Sequence, residues 1–309
     1  MKKTTLNVAA AALAALCASG LISGCTAGEG GGTGAGAAPP GEPSAPAGSP
    51  AAAGSGGGAS RGRSPDPVSP APGAAGERER AEAAYRKWGL RPFPERPAPP
   101  GTKPVRTPRT GAGEVPVISG IPTGDKVVFL TIDDGVEKDP EFVTMMRDLK
   151  VPFTMFLTDS EIRSDYGYFK PLAALGNGVA NHTLTHPDLR TLGADAQQKE
   201  ICGQQARLKD TYGTAPRLFR PPYGNWNEAT RAAAGRCGID AIVLWRESMQ
   251  IHDMQYQRGD RKLRPGDIIL AHFRGPKDLK GATMTEMTAA MLRRIQEQGF
   301  TVARLEDYV

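Results

Sequence analysis

The residues of this 309-residue chain that could do chemistry gather in a few short stretches. In FLTIDDG, two carboxylates, Asp133 and Asp134, close an apolar run and are followed at once by Gly135. Successive side chains of a strand point to opposite faces, so the pair can share one space only where the strand ends and turns. Two acids placed there can divide their duties, one binding a cation and the other moving a proton. The bland alternative is a helix N-cap or an Asx turn. Of the four histidines, His182 and His186 in NHTLTH stand four apart. On a helical turn that spacing puts both rings on one face. Structural, hydrogen-bonded histidines are the plain reading of such a pair. With a carboxylate from another strand end, the two imidazoles make a three-point site for a divalent metal, and three protein ligands plus water is the arrangement of a catalytic zinc. Such a metal polarises a carbonyl and lowers the pKa of water. The same ligand set also suits ferrous iron in an oxygenase, distinguishable by metal content and oxoacid dependence.

The elements that must position these groups alternate. Apolar strands are expected at VVFLTI (127–132), FTMFLT (153–158), GVANHT (178–183), RLFRPP, IDAIVLW, GDIILAHF (266–273) and FTVARL (300–305). Helical patterns lie between them, among them DPEFVTMMRDLK, with Phe142, Met145, Met146 and Leu149 at helical spacing. Strand alternating with helix means parallel βαβ units, in a barrel or an open doubly wound sheet, with ligands gathered where strands end. Asp133, Asp134, His182, Arg220, Trp245 and His272 all fall at such ends. The 195 residues from Val115 onward suffice for one sizeable core.

The N-terminus sets the address. Two lysines precede an Ala-rich apolar run, and the ending Ile22-Ser23-Gly24-Cys25 resembles the lipobox of bacterial lipoproteins. That implies a signal over 1–25, a lipid on the Cys25 thiol, and a place on the outer face of the membrane. Residues 26–114, dominated by Gly, Ala, Pro and Ser, read as a disordered tether reaching into the cell wall. One island within it, GERERAEAAYRKWGLRPFP (76–94), reads as a transient helix, or alternatively as a small element packing on the domain or the wall. The residues up to Glu114 carry 13 Lys+Arg against 8 Asp+Glu, and those from Val115 carry 25 of each. The globular part therefore has no basic excess, and nucleic acid is not the expected partner. Cys202 and Cys237 are the two cysteines left for an exported domain and suggest a disulfide.

TIDDG, HTLTH, RPPYG and ILAH, in that order, resemble the motifs of the polysaccharide deacetylases, carbohydrate esterase family four with its NodB-homology domain. The resemblance implies a distorted (β/α) barrel of about seven parallel strands over residues 115–309. It also implies a monomeric, metal-dependent hydrolase, with zinc expected and cobalt or nickel as alternatives. Its reaction would remove N-acetyl or O-acetyl groups from a polysaccharide such as peptidoglycan or a chitin-like glycan. Asp133 would be the base that deprotonates a metal-activated water, and Asp134, His182 and His186 the metal ligands. Arg220 would hold the base, Pro222, Tyr223 and Trp245 would line the groove, and the Tyr223 N–H would face the oxyanion. Leu270 would shape the acetyl pocket and His272 would be the general acid. The sequence departs from the pattern after the fifth strand: Ser248 and Ile251 stand where the family often carries acids. Arg220 would then need another partner, Glu247 or Asp253. Val136 replaces a proline, and His252 is read as an exposed loop histidine or a groove residue. A silent carbohydrate-binding member of the fold is the alternative function.

Overall fold

A computed structural model describes residues 72–107 and 115–309; the signal, Cys25 and the rest of the tether lie outside the described residues. Ten strands form one curled sheet. They are β1 (Val117–Ile118), β2 (Val127–Asp134), β3 (Thr154–Leu157), β4 (Gly178–Asn181), β5 (Leu218–Phe219), β6 (Ala241–Val243), β7 (Glu247–Met249), β8 (Met254–Tyr256), β9 (Ile268–His272) and β10 (Thr301–Ala303). The order is β1-β6-β5-β4-β3-β2-β9-β7-β8, with β10 paired to the start of β2. All pairings are parallel except the β7–β8 hairpin. The seven expected strands are all present, in a half-barrel; the short β1 and the β7–β8 hairpin are additions. The added strands are two or three residues long and, unlike the equally short β5, β6 and β10, are not part of a longer apolar run set off by a helical pattern.

The helices are α1 (Pro72–Lys87), α2 (Pro140–Leu149), α3 (Asp159–Ile162), α4 (Phe169–Ala174), α5 (Ala194–Tyr212), α6 (Glu228–Arg236) and α7 (Met284–Glu297). Strand alternation divides the core. Val127, Phe129, Phe156, Ala180 and Ile268 fill the inside of the curl, whereas Val128, Leu130, Ile132, Met155 and Ile269 face the outer helices. Helix α2 begins because the Asp139 side chain accepts the Glu141 N–H and Pro140 needs no partner at the first turn. It buries Phe142, Met145, Met146 and Leu149 on one face, each side chain contributing about 1.5–3 kcal/mol. Helix α7 starts from a capping box of Thr283 and Glu286. Cys202 on α5 and Cys237 at the end of α6 form a disulfide.

The N-terminal boundary of the folded unit requires correction. The expected tether ran to residue 114, but residues 76–107 pack against the sheet-and-helix body. Tyr85 Oη donates to the Leu149 carbonyl at 3.1 Å, and Trp88 Nε1 to Asp148 Oδ2 at 3.0 Å. Leu90 and Val105 are buried, and the Val105 N–H reaches the Tyr308 carbonyl at 3.2 Å. The transient helix of the island is α1, docked by the aromatic residues at its end. Sequence polarity favoured a loose chain because four or five anchoring side chains in a polar stretch leave no period to detect.

Candidate metal and catalytic site

Strand alternation alone would send Asp133 inward and Asp134 outward. The backbone prevents this: Asp134 takes a left-handed φ of 73° and Gly135 one of 95°. Gly135 is required there, because a Cβ would come within 2.4 Å of Ile162 Cγ2. Asp134 Oδ1 consequently lies 3.5 Å from His182 Nε2 and 3.4 Å from His186 Nε2. The two Nε2 atoms are 3.2 Å apart. Among the described residues these three groups form the one cluster able to hold a metal ion, with their ligand atoms all within 4.8 Å of one another.

The histidine pair is not on a helical turn, as its spacing suggested. His182 follows β4 and is buried, and His186 sits in an irregular loop at φ 58°. Hydrogen bonds shape that loop: Asn181 Oδ1 accepts the Thr183 N–H at 2.9 Å and Thr183 Oγ1 accepts the His186 N–H at 3.1 Å. Asn181 is itself anchored, donating to the Ile201 carbonyl and to Gln205 Oε1, each at 2.9 Å. His182 Nδ1 lies 2.7 Å from the Arg220 carbonyl, an acceptor only. Nδ1 therefore carries a proton, and Nε2 faces the cluster.

Asp133 pairs with His272 in the β2–β9 register, so base and acid candidates stand side by side on adjacent strands. Asp133 Oδ1 accepts from Arg220 Nη1 at 2.6 Å, and its Oδ2 lies 3.7 Å from His182 Nε2. Arg220 is fully buried and makes further bonds to Thr131 Oγ1 (2.9 Å), Val243 O (2.9 Å) and Leu244 O (3.3 Å). Its guanidinium lies over the ring of Phe156, 4.2 Å from the centroid, and over that of Trp245, at 5.5 Å. Glu247 and Asp253 do not serve as its partners. Glu247 binds Arg258 at 2.9 Å beside Asp267, and Asp253 binds Arg294 at 3.2 Å. Two backbone carbonyls and Asp133 itself take the place of the missing acid.

Burial opposes charge on Asp134, but hydrogen bonding and charge from His182, with His272 and His186 behind it, hold its carboxyl well below the usual range. Burial likewise works against a charged His182, yet Asp133 and Asp134 outweigh it and raise its pKa. His186 is lowered by burial and by its neighbour His182. His272 is lowered by burial, partly offset by Asp133 and Asp134.

The remaining expected residues surround this centre. Tyr223 occupies a short turn at φ 60°, is 63% exposed, and sets its ring 4.8 Å from that of His186. The two hydrogen bonds of the turn come from Gly224 and Asn225, leaving the Tyr223 N–H outside them. Pro222 is buried beneath it, and Leu270 is buried one strand alternation before His272. A groove of about 470 Å³ runs from His272 along Met249, His252, Arg274 and Lys280. His252 is thus both exposed and a groove residue. Sequence reasoning missed Thr131, Phe156, Asn181 and Arg274. Thr131 was the most accessible, being on the same strand face as Asp133 two residues earlier.

A curled, mostly parallel sheet thus carries an Asp–His–His cluster and a buried Arg–Asp pair at the carboxyl ends of its strands. Residues 120–242 match the polysaccharide deacetylase family. The chain is 43% identical over 195 residues to an uncharacterized protein of Streptomyces coelicolor, covering 63% of this chain and 77% of that one. It is 30% identical over 167 residues to a chitooligosaccharide deacetylase of Rhizobium leguminosarum bv. phaseoli, covering 50% and 72%. A family 4 carbohydrate esterase pseudoenzyme from Bacillus anthracis shares the fold, with a TM-score of 0.52 at 22% identity over 62% of this chain and 68% of that one. The chain belongs to the polysaccharide deacetylase family.

Proposed function

We propose that this protein hydrolyses acetyl groups from an N-acetylated polysaccharide, peptidoglycan or a chitin-like glycan, with O-acetyl groups as a second target. The observation that carries this reading is the carboxylate of Asp133, fixed through Oδ1 by Arg220 while Oδ2 faces the Asp134–His182–His186 cluster. The donor set of the cluster, two imidazole nitrogens and one carboxylate oxygen converging within 4.8 Å, fits a divalent cation, zinc first and cobalt or nickel next. When bound, such an ion supplies Lewis-acid polarisation of the acetyl carbonyl and a more acidic water.

The chain's own groups supply the rest. Asp133 Oδ2 takes a proton from the attacking water as its oxygen bonds to the acetyl carbon. The Tyr223 N–H, free of the turn's own bonds, donates to the developing oxyanion, a contact typically worth about 3–4 kcal/mol. His272 delivers a proton to the leaving nitrogen as the C–N bond breaks, giving acetate and a free amine. Leu270 bounds the methyl group, and Trp245 keeps Arg220 in place with its ring.

The N-terminal motif supports export as a lipoprotein anchored through Cys25, which would place the enzyme at the cell wall as a monomer. A second reading, a silent glycan binder, draws on Ser248, where an acid would be usual, and on the existence of a pseudoenzyme with this fold. Acetate release from peptidoglycan and chitooligosaccharides, with zinc or cobalt, with chelator and in Asp133→Asn, decides between them. Metal-dependent release lost in the variant is expected. Glycan binding without release from any substrate would establish the silent binder.

A further inference from the structure

A second feature lies at the other end of the sheet. Val151 and Pro152 lead into β3, and Gly176 and Asn177 into β4, so they mark the amino ends of strands whose carboxyl ends carry the site. Five residues, about 16 Å of strand, separate Asn177 from His182. These residues line a groove of about 620 Å³ together with Arg96, Arg147, Lys150 and Arg304. Four cations line it and no carboxylate does. Residues 115–309, which supply three of the four, carry equal numbers of basic and acidic side chains, so the grouping of those three is segregation of charge rather than a general excess.

The carboxyl end of α2 accounts for cations at Arg147 and Lys150, which follow its dipole. It does not account for Arg96, from the N-terminal segment, or Arg304, from beyond β10. Arg304 is held by Asp307 at 3.1 Å and by the Gly176 carbonyl at 3.0 Å. Arg96, Arg147 and Lys150 make no ion pair among the described residues, and all three are exposed. Asp148, the acid nearest in sequence to Arg147 and Lys150, is already engaged by Lys87 at 2.7 Å, and Glu95, next to Arg96, does not line the groove. The floor is apolar. It contains Leu175, 42% exposed, one of three large hydrophobic residues left exposed among the described residues. The other two, Val136 and Tyr223, belong to the opposite, catalytic face.

Unpaired cations around an exposed apolar floor suit a ligand with a phosphate above a hydrocarbon. We infer that this groove docks the protein on the anionic phospholipid headgroups of a membrane. Cations near such a surface are drawn in by its potential within about a Debye length, and Leu175 with Pro152 meets the glycerol and acyl region. Seated this way, the sheet presents the Asp133–His186 site away from the bilayer. The inference is independent of the proposed hydrolysis.

The test is co-sedimentation of the full chain with phosphatidylcholine vesicles with and without phosphatidylglycerol. The readout is the ratio of the two partition coefficients, which cancels attachment through the N-terminal apolar run. Arg96→Gln/Arg147→Gln should lower that ratio about tenfold or more. Lys199→Gln/Lys209→Gln, which removes the same charge from the exposed face of α5, should lower it less than about twofold. Acetate release from a soluble substrate should not change in either variant. Equal losses in the two variants, or none in the first, would overturn the assignment. So would a first variant that loses binding to soluble poly(glycerol phosphate) while keeping its preference for anionic vesicles, since the groove would then serve an anionic polymer.

Discussion

Arg220 donates to Asp133 across 2.6 Å with the two side chains 0% and 3% exposed, and among the described residues no other acid pairs with the guanidinium. The pair therefore does two things, orienting a carboxylate and compensating a buried cation. Arg220→Gln removes the charge and leaves Asp133 facing His182 alone. We expect a loss of about 3–5 kcal/mol in stability, measured by chemical denaturation, and loss of turnover. Arg220→Lys should recover part of the stability but little activity, because an ammonium cannot span Asp133 and the Val243 and Leu244 carbonyls together.

Asp133 and Asp134 are adjacent in sequence but face different partners. Asp133→Asn should keep zinc, measured as bound metal per chain after dialysis, while turnover falls about 10²–10⁴-fold. Asp134→Asn should lose metal affinity first. Full activity in Asp133→Asn would remove it from the role of base.

Ser248 is the departure that casts doubt on activity. Its side chain accepts from Gln250 at 3.1 Å, and Arg220 is satisfied without it. Ser248→Asp should therefore change kcat/KM by less than about tenfold, under 1.4 kcal/mol. A much larger gain would show that the missing acid limits the reaction.

Glu247 has a use apart from the site. Burial, and then the charge of Asp267, raise its pKa well above the ordinary carboxylate range, against the pull of Arg258. The folded protein thus retains a proton that the unfolded chain has released. The stability this confers is full below the unfolded pKa near 4.5 and is lost as pH rises toward and through the raised folded value. Melting temperature should fall between pH 5 and pH 8 by an amount that Glu247→Gln largely abolishes. Its Oε2 has no hydrogen-bond partner, so the amide does not sacrifice a bond there.

The sequence by itself determined the strand–helix alternation, the seven principal strands and the face of α2, because apolar periodicity is a local property. Its motifs also named the cluster residues. Tertiary structure decided how they meet. The left-handed turn at Asp134, the looped rather than helical geometry of His186, and the carbonyls of Val243 and Leu244 that replace an acid at Arg220 depend on backbone from separate strands. The docking of residues 76–107 had the same character. A few aromatic and aliphatic anchors in a polar stretch acquire meaning only when α2 and the C-terminus are present to receive them.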